Sequence, residues 1–160
     1  MGGTKIRATE GELLDQPVEV IVNAWNRNVI PWWLLLPQGV SAAIKRRGGL
    51  VPFRELARHG PIPLGGAVHT TAGRLPFRGI IHVAGINLLW FATEHSIRAS
   101  VRSALELAAQ KGYRSIAFPL IGAGTGGVSR QKTLDSIRAE AEVSGFAGEV
   151  VIVTYPSQKP

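Results

Sequence analysis

At 160 residues, 45% hydrophobic and 18% charged, the chain has the size and balance of one globular domain with a sizeable core, not the composition of a disordered chain. It contains no cysteine, which excludes disulfide frameworks and thiolate chemistry, and no apolar stretch long enough to span a bilayer. The net charge of +7 suits an anionic partner such as nucleic acid or a nucleotide, and equally a basic protein whose charge does nothing specific.

In chain order, the N-terminal residues lack the apolar core of a secretory signal, so a cytoplasmic location is expected. Lys5 to Thr9 reads as a first strand. VEVIV, Val18 to Val22, is β-branched and nearly all apolar, as a buried strand should be. Short helices are expected over Gly39 to Arg47 and Pro52 to His59. Strands follow over Ala67 to Thr71 and Gly79 to Val83, with a turn around Gly73 to Pro76 between them. Glu94 to Lys111 has Ile97, Val101, Leu105 and Ala108 at helical spacing, and Gly112 stands where a C-terminal glycine cap belongs. Ser115 to Leu120 reads as another strand. Ser129 is placed to cap a helix carrying Leu134, Ile137 and Ala141 on one face, and Glu149 to Thr154 forms a last strand. Strands alternating with helices predict α/β layering with helices on both faces of a sheet. No repeat, linker or low-complexity segment divides the chain, so one domain over residues 1–160 is expected.

Two stretches carry candidate chemistry. FPLIGAGTGGVS, Phe118 to Ser129, puts four glycines between a buried strand and a helix start. A glycine-rich turn there lets backbone N–H groups approach an anion, and the helix dipole favours negative charge. It is not a Walker loop, because no Gly-Lys-Ser/Thr follows. Alone, it reads equally well as a flexible connector. VEVIVNAWN places two carboxamides, Asn23 and Asn26, just past the other buried strand, able to fix a loop or to grip a ribose hydroxyl. A second helix start, Gly39-Val40-Ser41, offers another anion cradle.

Together these segments resemble the macro domain, the ADP-ribose-binding module. GELLDQPVEVIVNAWN, Gly11 to Asn26, matches its opening strand pattern in ungapped register, and GVSAAIKRRGG, Gly39 to Gly49, matches the end of its first glycine run. PLGGAVHTTAGRLPFRGIIHVAG and YRSIAFPLIGAGTGG resemble its central hairpin and its second phosphate loop. The match covers nearly the whole chain, in order. The resemblance implies a three-layer α/β/α sandwich with a mixed central sheet, and a cleft at the strand ends holding ADP-ribose without metal or cofactor.

Position by position, the resemblance implies that Glu12 accepts from the adenine amino group and that Leu13 supplies a neighbouring backbone contact. Gly39 and Val40 close the first phosphate loop, with Ser41 beside them. Gly122, Ala123, Gly124, Thr125 and Gly126 form the second loop, around the pyrophosphate and distal ribose. Asn26 holds the distal ribose in hydrolytic members and is the candidate catalytic residue; Tyr155 is placed against adenine. Three departures stand out. The first loop keeps one glycine, Gly39, with Leu34, Leu35, Leu36 and Pro37 nearby; Ser41 replaces an aspartate that assists hydrolysis; Gly126 replaces an aromatic.

The remaining polar and aromatic residues have plainer readings. His59, His69, His82 and His95 show no metal-ligand spacing, and His82 within IIHVAG reads as structural. Trp32 and Trp33 cover part of a core before they form a base-stacking platform. Ser41 reads as an N-cap rather than a nucleophile, since nothing in the sequence places a base beside it. Lys45-Arg46-Arg47 reads as a solvated helix face. Two functions follow from the resemblance: an enzyme that removes ADP-ribose from protein or nucleic acid, or processes a small ADP-ribose derivative, and a non-catalytic reader of ADP-ribose. The charge adds RNA or poly-ADP-ribose as a third class of partner. No membrane partner is expected, and the oligomeric state is left open.

Overall fold

The computed structural model describes residues 3–26, 39–86, 93–121 and 129–154. Six strands form one sheet: β1 (Lys5–Glu10), β2 (Val20–Asn26), β3 (Ala67–Thr70), β4 (Gly79–Ile86), β5 (Ser115–Phe118) and β6 (Glu149–Thr154). Their order is β1-β6-β5-β2-β4-β3; all neighbours are parallel except β3, which runs antiparallel to β4 along the edge. Four helices cover the sheet: α1 (Gly39–Gly48), α2 (Val51–His59), α3 (Glu94–Gln110) and α4 (Arg130–Val143). A single 3-10 turn, Leu13–Asp15, follows β1. This is the expected mixed-sheet α/β/α arrangement.

Alternation along β2 decides the layering. Val20 and Val22 point into one core with Ile81, Val83, Ile116 and Phe118, beneath Ile97, Val101, Leu105 and Ala108 of α3 and Ile137 and Ala141 of α4. Ile21 points the other way, into a second core with Ile80, Ala117, Val151, Ile44 of α1 and Phe53 of α2. Fully burying a side chain such as Phe53 or Ile44 contributes about 1.5–3 kcal/mol. Strands buried on both faces are why VEVIV and IIHVA read as near-continuous apolar runs.

The helix ends follow local chemistry. Thr93 caps α3 by accepting from the Ser96 amide at 3.0 Å while Ser96 Oγ accepts from the Thr93 amide, a reciprocal box. Ser129 caps α4 as expected, accepting from the Lys132 amide. Gly112 ends α3 at φ 76°, a conformation that favours glycine. Gly73 has φ 59°, and a Cβ there would stand 2.3 Å from the Gly48 carbonyl, so this glycine lets the turn before β4 close against the end of α1.

Some strand boundaries differ from expectation. β2 starts at Val20, because the Val18 amide bonds Gln16 O in a local turn and the Glu19 amide bonds Ser115 Oγ. It then runs on to Asn26. Beyond the Ala24–Val83 pair, β4 carries one more residue than β2 before Asn26 meets Ile86, a bulge in parallel pairing. β5 stops at Phe118 rather than Leu120.

Candidate functional site

β1, β6, β5, β2 and β4 all run the same way, so their carboxyl ends share one edge of the sheet. In open α/β sheets that edge is where ligands sit. The Gly11 amide donates to Thr154 O at 2.9 Å, tying the end of β1 to the end of β6. Glu12 follows with its side chain exposed, while Leu13 is buried in the core and its carbonyl accepts from the Gln16 amide. Asn26 ends β2 just past the bulge. Its side chain lies outside the described residues.

α1 packs on β2 and on the 3-10 turn after β1, and Arg47 pairs with Asp15 at 3.0 Å across that junction. That ion pair joins the last turn of α1 to the 3-10 turn, whereas the first turn meets β2 through Ser41, which bonds Asn23. The first-turn N–H groups of a helix have no partners inside it and carry its positive dipole end. No carboxylate stands in the first turn of α1, nor in that of α4. Gly122, Ala123, Gly124, Thr125, Gly126 and Tyr155 lie outside the described residues, as do Trp32, Trp33 and Leu34 to Pro37.

Behind the first turn of α1 lies a chain of buried polar groups that sequence reading did not assemble. Ser41 Oγ donates to Asn23 Oδ1 at 3.0 Å. Asn23 Nδ2 lies 3.1 Å from His82 Nδ1, and His82 Nε2 lies 2.9 Å from Thr70 Oγ1. Thr70 Oγ1 in turn donates to Thr71 O at 3.0 Å. Asn23 and His82 are fully buried, and Ser41 and Thr70 nearly so. The chain crosses from α1 through β2 and β4 to β3, and the Thr71 hydroxyl beyond it bonds the Glu55 carboxylate of α2. Burying so many polar groups is costly unless each is partnered, and here each is.

Ser41 is therefore not an N-cap. α1 begins at Gly39, two residues earlier, which puts Ser41 inside the first turn with its hydroxyl spent on Asn23. Asn23 is structural, but it joins α1 to β4 rather than fixing a loop, and His82 is structural, as expected. Burial pushes the His82 imidazole down to about 3, with further lowering from His69 and His59, so it is neutral throughout the physiological range. Among the described residues Ser41 has no base beside it: a carboxamide separates it from the imidazole and cannot carry a proton between them. His69, on the opposite face of the sheet, bonds and stacks on Tyr113. Lys45 lies 5.0 Å from the Phe53 ring centroid, so the Lys45-Arg46-Arg47 run is only partly a solvated face. Among the described residues no His, Asp and Glu cluster could hold a metal ion, and no helix is long and apolar enough to cross a membrane.

The family model "Macro domain" matches residues 22–137. A macro domain-containing protein of Streptomyces griseus is 45% identical over 126 residues, spanning 74% of this chain and 68% of that protein. An O-acetyl-ADP-ribose deacetylase of Escherichia fergusonii is 36% identical over 135 residues, spanning 79% and 72%. The macrodomain of Trypanosoma brucei, solved in complex with ADP, superposes with a TM-score of 0.82 at 25% identity over 96% of this chain. The same protein has been solved with ADP-ribose, at a TM-score of 0.79. The matched region spans 64% of the T. brucei chain, less than two thirds of it.

Proposed function

This chain belongs to the macro domain family, and from that premise we propose that it binds ADP-ribose along the carboxyl edge of its parallel strands and hydrolyses an ADP-ribosyl bond. The substrate is an ADP-ribosylated protein or nucleic acid, or a small derivative of the kind an O-acetyl-ADP-ribose deacetylase acts on. The observation that supports the reading is the shared carboxyl edge of five parallel strands, where β1 leads into Glu12 and β2 ends at Asn26, with the first turn of α1 free of carboxylates and joined to β2 through Ser41. An acceptor for the adenine amino group, a carboxamide for a ribose and backbone donors for a pyrophosphate are the chemical needs of this ligand.

In this assignment Glu12 and the Leu13 backbone hold adenine with Tyr155, and Gly39 and Val40 hold the phosphates from one side. Gly122, Ala123, Gly124, Thr125 and Gly126 wrap them from the other. Asn26 orients the distal ribose. With Ser41 committed to Asn23, the chain offers no general base at the position after Gly39-Val40. Hydrolysis then rests on positioning a water against a held ribose, which gives a slow enzyme. Calorimetry with ADP-ribose tests binding. Release of ADP-ribose or acetate from a panel of ADP-ribosylated protein, DNA, RNA and O-acetyl-ADP-ribose tests the chemistry. The committed Ser41 hydroxyl favours a second reading, a non-catalytic reader; binding with no turnover on any substrate selects it.

A further inference from the structure

The buried chain behind α1 has a direction, and its far end sets it. Thr70 Oγ1 has one proton, and that proton goes to Thr71 O. Toward His82 the same oxygen can only accept, so the 2.9 Å contact requires a proton on His82 Nε2. A neutral imidazole with Nε2–H has a bare Nδ1, which accepts from Asn23 Nδ2 at 3.1 Å. The Asn23 carboxamide is thereby oriented with Oδ1 toward Ser41, and it accepts the Ser41 proton at 3.0 Å. The opposite direction, with Nδ1–H donating to Asn23 and Thr70 donating to Nε2, forfeits the bond to Thr71 O.

We propose that His82 is a positioning residue for the first turn of α1: as the Nε2–H tautomer it fixes Asn23, turns the Ser41 proton into the protein and leaves that hydroxyl able only to accept from the ligand side. A phosphate oxygen, itself an acceptor, gains nothing from Ser41; the anion is left to backbone N–H groups. This assignment of the ligand side rests on the ADP-ribose reading, whereas the tautomer does not. Burial holds the imidazole neutral, as such a fixed tautomer needs.

Residue 41 and the imidazole are then coupled through Asn23. A carboxylate at 41 cannot donate, so Ser41→Asp would turn the Asn23 amide around to offer Nδ2. Oδ1 would then face His82 Nδ1, which must take up the proton, and Thr70 would turn to donate to Nε2. One substitution at a helix start would switch the tautomer of a ring it does not touch.

Long-range 1H–15N correlation spectra of 15N-histidine-labelled protein, recorded at neutral pH without ligand, read this directly. The expected result is Nε2 protonated and Nδ1 bare in wild type and in Ser41→Ala, with the pattern exchanged in Ser41→Asp. An Nδ1–H ring or an imidazolium in wild type overturns the proposal, as does a Ser41→Asp protein that keeps Nε2–H. Should Ser41→Asp not fold, the wild-type and Ser41→Ala spectra decide the direction by themselves. Affinity for ADP, which carries the phosphates, should change by no more than about two-fold in Ser41→Ala; a loss of about ten-fold would mean that Ser41 donates to phosphate and refute the assignment. Absence of any ADP binding would strike the functional reading and leave the tautomer result intact.

Discussion

Acid should unfold this protein through His82 in a window set by burial. The imidazole is fully buried between β2 and β3, and its folded value of about 3 lies far below the ordinary 6.5. Between those values the unfolded chain binds a proton that the folded chain does not, so stability rises with pH across the window. The contribution is whole above about 6.5 and is lost progressively as pH falls toward 3. Integrating between pH 7.5 and 5 gives a loss of about 2 kcal/mol from this residue alone. For a domain of this size that corresponds to about 4–8 °C in melting temperature. The assay is urea unfolding at both pH values for wild type and His82→Gln. The variant is expected to be weaker at neutral pH, because the chain to Asn23 and Thr70 is disturbed, but to lose about 2 kcal/mol less on acidification. His69, also lowered, chiefly by burial and then by Lys111, adds a loss of the same sign in both proteins. Equal acid losses in the two proteins, or an NMR titration of His82 near its ordinary value, would refute the reasoning.

Other outcomes follow from the site and its surroundings. ADP-ribose should bind with a dissociation constant on the order of micromolar, about −8 kcal/mol, and survive moderate salt, while RNA binding driven by the +7 charge falls away; calorimetry and gel shifts across a salt series check both. Asn26→Ala should slow release of ADP-ribose about ten-fold or more, equivalent to roughly 1.4 kcal/mol of lost positioning; an unchanged rate would remove Asn26 from the machinery. On the α3–α4 face, the nearly buried Glu140 accepts from Arg98 at 2.9 Å and Arg102 at 3.0 Å. Glu140→Gln should cost about 1 kcal/mol in urea unfolding, because both guanidiniums keep access to water, and leave ADP-ribose affinity unchanged.

The layering was legible because its causes are local. Helical spacing marked α3, and residues 149–154 carry the β-branched run of a central strand that the sheet then uses in full. The candidate edge was legible because glycines and asparagines stand out where an apolar strand stops. The polar chain was not, because parallel pairing of β2 with β4 joins Asn23 to His82 across 59 positions, and nothing local fixes that register. A signal was nonetheless present: with a period of two, Asn23 falls on the face of Ile21 and His82 on that of Ile80, two polar residues at inward positions that each require a partner. The role of Ser41 was not legible because its acceptor, Asn23, lies on another element: within a helix expected from Gly39, the hydroxyl bonds β2 rather than capping its own helix.

Among the described strands β1 has a single neighbour, β6, and joins it along its whole length from Lys5–Glu149 to Glu10–Thr154. On a growing chain this strand therefore waits for nearly all that follows before it has anything to pair with, and its mostly exposed surface gives it little reason to collapse earlier. The same geometry makes it the natural place for the sheet to fray. Glu12 follows β1 directly, so the end of the proposed cleft assigned to adenine lies beside the seam between the two most sequence-distant strands. A ligand held there would act as a clasp on that seam, and slowed amide exchange in Lys5 to Glu10 would be its trace.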